Sequence, residues 1–448
     1  MSSTKPPRTT TLTRGAITGM AAARLGAARL GQRLRPPAST PAARALAQDR
    51  DEAQLGRILF QALSQLRGSA LKVSQLLSMD IGFLPAGVRR ELAGACYQVR
   101  PLNRALIGKV FRQAFAQEPE SLFDHFEPTA FAAASLGQVH RAKLQGFGAV
   151  AVKVQYPGIA ATIPSDMLLL RHALKVLGGT LPLPPQHVID QVLADIEATL
   201  LREVDYRQEA AQQQWFAQHA ARPGVVIPQV LMSHTRAQVL TQQHLSGLHL
   251  NEWLASQPSQ AERNAHGQRL FDWFMHCAFE LGHIHADLHP GNFLFIADDV
   301  HGQALGILDF GCTRPLSPEF RRLILAHWSA VLLPCSPDRD SALLQSYIRM
   351  GLIAPDISMQ TFVSDIMPAL IPLQAWATEP FRQSHFDFSH KSMLTQPSSQ
   401  YQKNFGQKMC GLPAELPTFD RAWLGLMHML SHIGARICVD NPWLQRRS

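Results

Sequence analysis

The chain has 448 residues, 46% of them hydrophobic, enough for two to three domain-sized units with a sizeable core. Its net charge of +8 does not describe a nucleic-acid-binding body: residues 1–48 hold eight basic residues (Lys5, Arg8, Arg14, Arg24, Arg29, Arg33, Arg35, Arg44) and no Asp or Glu, which leaves 34 basic against 34 acidic elsewhere. The six scattered cysteines (Cys96, Cys277, Cys312, Cys335, Cys410, Cys438) lack metal-ligand spacing and suit a reducing compartment, and no secretory signal or uncharged apolar run of 18 residues is recognisable, so no spanning helix is expected.

In chain order, residues 1–48 combine Pro, Thr, Ala, Gly and Arg, and Ile17–Leu34 is able to form a basic, small-residue helix. This arm reads as a transit peptide, a segment lying on anionic lipid, or a solvated tail. Leu55, Ile58, Leu59, Leu63, Leu66, Ala70 and Leu71 then recur at three- and four-residue steps and predict an amphipathic helix to about Met79. By composition alone, Lys72 and Gln75 on this helix are ordinary solvated positions. Residues 80–125 hold further helical material, broken at Leu84-Pro85 and Arg100-Pro101.

Ala132–Ala142 follows, with alternation from Leu136, and then the strand Ala149-Val150-Ala151-Val152-Lys153-Val154. A small-residue turn before a Val-Ala-Val-Lys strand is the order in which a kinase covers nucleotide phosphates and then presents a lysine to them. Ala132, Ala133, Ala134 and Ser135 are therefore candidate nucleotide-loop positions and Lys153 the phosphate-contacting lysine. Each alanine carries a Cβ where glycine is usual, so the phosphate grip should differ.

A buried lysine needs an acidic partner. The helical run from about Gln186 to Ala220 carries Glu203, Asp205 and Glu209. Glu203 and Glu209 are six residues apart, about 600° around a helix, and so do not share a face; two separate jobs are expected for them. Gln238–Gly247 reads as a strand ending in a Gly turn, placed to join two lobes where backbone groups meet an adenine. Leu248–Ser256 and Arg263–Gly282 read as helices, and residues 318–448 as mainly helical with a surface loop near Pro380–Gln402.

The second of those helices delivers His283-Ile284-His285-Ala286-Asp287-Leu288-His289-Pro290-Gly291-Asn292, and Leu308-Asp309-Phe310-Gly311 follows an apolar run. Asp287 with Asn292 five positions on, and Asp309 a further 17 on, reproduces the spacing of a kinase catalytic loop and metal loop. Asp287 would face the acceptor group, while Asn292 and Asp309 would offer oxygen ligands to Mg²⁺. His283, His285 and His289 lack a Cys or spare carboxylate to complete a zinc set, so loop hydrogen bonding is expected of them.

As a set, these residues resemble the UbiB/AarF family of atypical kinases, which includes coenzyme Q biosynthesis regulators of bacteria and mitochondria. The likeness runs from about Gln54 to the C-terminus and is most specific over Ala132–Ala142, Glu203–Ala210 and His285–Asn292. It implies an α/β, two-lobed kinase-like fold: a basic arm (1–48), a helical extension (49–125) over the nucleotide cleft, a nucleotide-binding small lobe (126–245) and a mainly helical large lobe (246–448). Lys72-Val73-Ser74-Gln75 looks like the family's Lys-x-Gly-Gln motif, with Ser74 in place of its glycine. By the same resemblance, Glu203 and Asp205 match a Glu-x-Asp pair that meets that motif and closes the usual protein-substrate channel. Glu209 matches the partner of Lys153, Asp287 the catalytic aspartate, and Asn292 and Asp309 the Mg²⁺ ligands.

The implied activity is ATP hydrolysis or phosphorylation of a small or lipid-like molecule, with ATP/ADP and Mg²⁺, in support of ubiquinone or other isoprenoid quinone metabolism. Implied partners are nucleotide, an anionic membrane surface or lipid-like substrate, and quinone-biosynthesis proteins. The expected location is the cytoplasm, peripherally at the inner membrane, or the mitochondrial matrix. Some bacterial members carry paired C-terminal transmembrane helices; Asn441–Ser448 ends this chain without one. An ordinary protein kinase is disfavoured because Cys312-Thr313-Arg314-Pro315-Leu316-Ser317-Pro318 follows Gly311 and no Ala-Pro-Glu closes the segment. A nucleotide-gated scaffold for a lipid-biosynthetic complex is the reading from another class, and competent residues at every catalytic position weigh against it.

Overall fold

A computed structural model of the chain describes residues 40–64, 102–134, 136–177, 185–298, 300–391, 405–406 and 408–445, with single positions at 27, 87, 88 and 91. Lys72, Gln75 and Ser135 lie outside the described residues, as does the helix expected between residues 65 and 79. The chain divides into two compact units, residues 1–99 with 158–197, and residues 100–157 with 198–448. The described part of the first is helical, including Pro41–Ser64 and Ile159–Leu177, and Arg171 there pairs with Asp190 and Glu197 at 3.2 and 3.3 Å.

The second unit begins with helix α1 (Arg104–Phe115) and strands β1 (His125–Phe126), β2 (Ala132–Ala134), β3 (Gly137–Leu144) and β4 (Gly148–Gln155). After the inserted helices come the end of α2 (Gln186–Glu203), α3 (Tyr206–His219), β5 (Val225–Val226) and β6 (Val239–Gln243). Then follow α4 (Gln260–Met275), β7 (His283–His285), β8 (Phe293–Asp298), β9 (Gly302–Ile307), β10 (Thr313–Pro315), α5 (Pro318–Leu332), β11 (His385–Asp387), α6 (Leu416–Ile433) and β12 (Arg436–Cys438).

Strands β1, β3, β4 and β6 lie side by side, antiparallel throughout, with β2 paired to β3. Gly146 and Gly148 close the β3–β4 hairpin at φ of 77° and 102°, which only glycine adopts without a Cβ penalty. Alternation along β4 sends Val150, Val152 and Val154 to one face, where they pack with Val239 against Ile107, Val110 and Phe111 of α1. Phe111 is fully buried and meets Phe126 and Phe123 edge-on at 5.5 and 6.1 Å. Ala151 and Lys153 take the other face. There Leu240, directly opposite Lys153, packs with Tyr206 and Ala210 of α3.

Beyond the sheet, Ser259 and Glu262 form a capping box that starts α4, and a π-helical turn, His276–Leu281, ends it at Gly282 with φ 68°. Arg321 of α5 donates to the carbonyls of Phe279 and Glu280, filling acceptors that the helix end leaves open. The antiparallel β8–β9 hairpin, with β5 parallel to β9, spans the gap between the two motif loops.

Two expectations are corrected. The helix from Gln186 to Ala220 is two helices, interrupted at Val204–Asp205, because Asp205 adopts an extended backbone and caps α3. The segment expected as a loop from Pro380 carries a short strand between two 3₁₀ turns over residues 379–390. β11 pairs with β12, Phe386 and Phe388 are buried, and the Lys391 ammonium lies 4.4 Å from the Trp376 ring centre. Among the described residues no cysteine is disulfide-bonded, and no helix is long and apolar enough to cross a membrane.

Phe111→Ala should cost about 3–5 kcal/mol of unfolding free energy, read by denaturant unfolding. A loss below about 1 kcal/mol would show that the α1–sheet core is not what secures this half of the unit.

Candidate active site

Lys153 stands on β4, only 5% exposed. Its Nζ lies 2.5 Å from Glu209 Oε1 on α3 and 2.9 Å from Asp309 Oδ2. Burial works to lower its pKa, but the two carboxylates outweigh it and hold the ammonium protonated above its usual range. Glu209 is pushed up to about 7, by burial first and then by the like charge of Asp309, against the pull of Lys153. One cation shared by two carboxylates leaves a surplus negative charge.

Asp309 is held from three sides. Its Oδ1 accepts the Gly311 N–H at 2.9 Å, its Oδ2 accepts from Lys153, and its carbonyl oxygen accepts from His285 Nε2. His285 Nδ1 in turn accepts the Asp287 N–H at 3.3 Å. A carbonyl only accepts and a backbone N–H only donates, so His285 is the Nε2–H tautomer. One buried imidazole thus joins the loop of Asp287 to the loop of Asp309.

Asn292 completes the arrangement. Its Nδ2 donates to the Asp287 carbonyl at 2.9 Å, which fixes which side of the carboxamide carries oxygen. Phe293 pairs with Ile307 across β8–β9, and the Leu308 N–H reaches the Asn292 carbonyl at 3.0 Å. The 17-residue spacing is the contour of this hairpin, which returns Asp309 to the loop it left. Phe310, fully buried, lies 5.1 Å from the Phe216 ring of α3 in a tilted contact and meets His285 edge-on at 5.4 Å. Phe216 falls two turns after Glu209 on the same stripe of α3, so one packed column fixes helix and both loops.

The helix break decides where the remaining carboxylates go. Asp205 accepts the Arg207 N–H at 3.1 Å and grips its guanidinium at 2.9 and 2.8 Å; those bonds hold its carboxyl below the usual range. Gln155, buried on β4, donates Nε2 to the Val204 carbonyl at 2.9 Å, satisfying an acceptor the break exposes. With the helix interrupted, the 600° offset no longer applies. A β-carbon built on Gly311 would lie 3.5 Å from Glu203 Cγ and 3.6 Å from Glu209 Oε2, so both glutamates converge on the Asp-Phe-Gly turn.

Ala132–Ala134 form a strand rather than a turn, with Ala133 opposite Gln138 and Ala134 opposite Gly137. The histidines have separate tasks: His283 packs 4.6 Å from Trp215 and burial takes its pKa to about 4, His285 bridges the loops, and His289 Nδ1 accepts the Gly291 N–H at 3.1 Å. No group of three or more metal-ligating His, Cys, Asp or Glu exists among the described residues. The site also takes support that no motif announces. Arg421 of α6 donates Nε to the Ala286 carbonyl at 3.4 Å, and a β-carbon on Gly425 would lie 3.0 Å from Leu288 Cβ.

Residues 96–340 match the family model described as the ABC1 atypical kinase-like domain. The chain belongs to that family. Similar proteins include ACTIVITY OF BC1 COMPLEX KINASE 8 of Arabidopsis thaliana, chloroplastic (30% identity, 67% of this chain and 39% of that one). Others are the mitochondrial atypical kinase COQ8 of Saccharomyces cerevisiae (26%, 84% and 72%) and the probable protein kinase UbiB of Xylella fastidiosa (29%, 62% and 51%). The match thus spans less than two thirds of the chloroplast and UbiB relatives. Among solved structures, Rv3197 of Mycobacterium tuberculosis, in complex with erythromycin, aligns over 90% of this chain and 97% of its own, with a TM-score of 0.57 and 24% identity. That likeness is one of fold, a mixed α/β kinase-like architecture. The ABC1 match places the chain in an atypical kinase-like family, and kinase-like folds in general use nucleotide with Mg²⁺.

Glu209 in the folded chain keeps its proton to higher pH than the ordinary value of 4.5. The folded state then binds more protons than the unfolded one between about 4.5 and 7, so this group's contribution to stability is lost as pH rises through that window. The stability of the wild type relative to Glu209→Gln should therefore fall across it, by at most about 1.4 kcal/mol per pH unit in urea unfolding without nucleotide. A difference that grows with pH would show that the Lys153 attraction prevails over burial.

Proposed function

We propose that the chain is a Mg²⁺-nucleotide-dependent atypical kinase or ATPase that serves isoprenoid quinone or lipid metabolism. The observation that carries this reading is Lys153, buried between Glu209 and Asp309, with Asp309 joined through His285 to the loop that presents Asp287 and Asn292. A lysine held in this way is positioned for α- and β-phosphate oxygens, and its partners keep it charged.

The donor set suits Mg²⁺, which takes hard oxygen ligands and few protein groups. Asn292, with Nδ2 committed to the loop, has its carboxamide oxygen to give, and Asp309 supplies carboxylate oxygen. The ion would neutralise phosphate charge when bound. The protein's own residues do the rest: Lys153 orients phosphates, Asp287 receives or orients the acceptor's proton, and His285 keeps the two loops in register. The hairpin of β2 and β3 would present Ala132, Ala133, Ala134 and Ser135 to the phosphates. In this reading Lys72, Gln75, Glu203 and Asp205 are regulatory, and Glu203, close to Gly311, is the member of that set that senses the Asp-Phe-Gly turn.

The quinone context rests on the resemblance to coenzyme Q regulators and on similarity to COQ8 and UbiB. It supports anionic membrane or lipid-like partners, quinone-biosynthesis proteins, and a peripheral place at a bacterial inner membrane or in an organelle.

Asp309→Asn should weaken Mg²⁺-ADP binding about tenfold or more in a thermal-shift titration, and unchanged affinity would remove Asp309 from the ligand set. The full chain should hydrolyse ATP with Mg²⁺, faster with anionic liposomes, and Asp287→Asn should lower turnover about 10²-fold or more. Nucleotide binding without Asp287-dependent turnover would move the assignment to a nucleotide-gated scaffold.

A further inference from the structure

Gln242 lies near the end of β6, and its Cα faces Ala151 on β4. Opposed residues of an antiparallel pair share a face, so its side chain stands on the face that bears Lys153, about 7 Å along β4 from Ala151. The residue is 4% exposed. Its Nε2 lies 3.5 Å from the carbonyl oxygen of Leu308, the residue before Asp309, and its buried Oε1 has no donor. Lys153 and Gln242 thus reach consecutive residues of the metal loop from adjacent strands, one as a cation and one as an amide.

A carboxamide can sit either way round, and its two ends are told apart only by their partners. The Leu308 carbonyl can only accept, so it holds the nitrogen and turns the oxygen away. An acceptor buried without a donor destabilises a fold and marks a place for a missing partner. On the nucleotide reading above, on which this inference rests, Lys153 fixes the phosphate end of the face and the strand that leads to Gly247 receives the base. We propose that Gln242 Oε1 accepts the exocyclic amino group of adenine, and that the Leu308 carbonyl, by fixing the amide's orientation, makes Gln242 the residue that selects adenine over 6-oxopurines. A 6-oxopurine would set its own carbonyl oxygen against Oε1, acceptor against acceptor, and a buried polar mismatch is what gives a site discrimination.

The test compares Mg²⁺ complexes of ATP, inosine triphosphate and purine riboside triphosphate, which has no group at position 6, by calorimetric binding to the full chain and to Gln242→Met. The wild type should bind ATP about tenfold more tightly than inosine triphosphate. In Gln242→Met, ATP affinity should fall about five- to tenfold while purine riboside triphosphate is unaffected. The unfolding midpoint of the nucleotide-free variant should hold or rise, because an unmet acceptor has gone; a purely structural glutamine would lower it. Equal losses for all three nucleotides, or a wild type without base preference, overturns the proposal while nucleotide binding stands. Failure of all three to bind the wild type overturns the nucleotide reading as well, and should Gln242→Met not fold, Gln242→Leu is read in its place.

Discussion

A buried ammonium cannot be left alone, and that constraint organises this chain. Lys153 is placed inward by strand alternation, and from there it dictates where an acidic helix and an acidic loop must lie. Removing one partner of such a cluster typically costs about 3–5 kcal/mol, because it strands the others in low dielectric. The same demand that stabilises the fold therefore assembles the chemistry. Helix α3 is drawn to β4 by Glu209, and the Asp-Phe-Gly turn is drawn to both by Asp309. His285 and Phe310 then lock the turn to the Asp287 loop, so that a hydrogen bond and a ring contact share one imidazole.

The interruption at Val204–Asp205 shows local chemistry overriding helix periodicity. Asp205 finds a better bond in the Arg207 N–H than in continuing the helix, and Gln155 takes up the Val204 carbonyl that the interruption exposes. The consequence is electrostatic. Two glutamates that a continuous helix would have separated stand near the same glycine, adding negative charge around a site with one lysine. Burial and the neighbouring charge make the Glu209 carboxyl hold its proton more firmly than it would in water.

Much of this was legible in the sequence, for identifiable reasons. Alternation in Ala149–Val154 marks the strand and which side Lys153 faces, and the Asp287–Asn292–Asp309 spacing reflects a hairpin of fixed length. The resemblance to the UbiB/AarF family agrees with the ABC1 match. What stayed hidden is tertiary. An Asp that caps a helix reads the same as one that decorates it, and Gln155 and Gln242 look like polar residues in a strand until their partners are placed. Phe386 and Phe388 sit in a Pro/Ser/Gln-rich context whose composition says loop, while Phe386 is buried on β11 and Phe388 in the 3₁₀ turn that follows it. Lys72 and Gln75 are outside the described residues, and their part rests on the motif alone.

The Asp287 loop rests on α6, where Gly425 admits Leu288 without a clash and Arg421 grips the Ala286 carbonyl. Those contacts begin some eighty residues beyond the last position of the ABC1 match. The stretch that defines the family is therefore not a self-sufficient module in this protein. Its floor is contributed by a later helix, so a shuffled or excised copy ending at residue 340 would inherit the signature residues without the surface that holds them still.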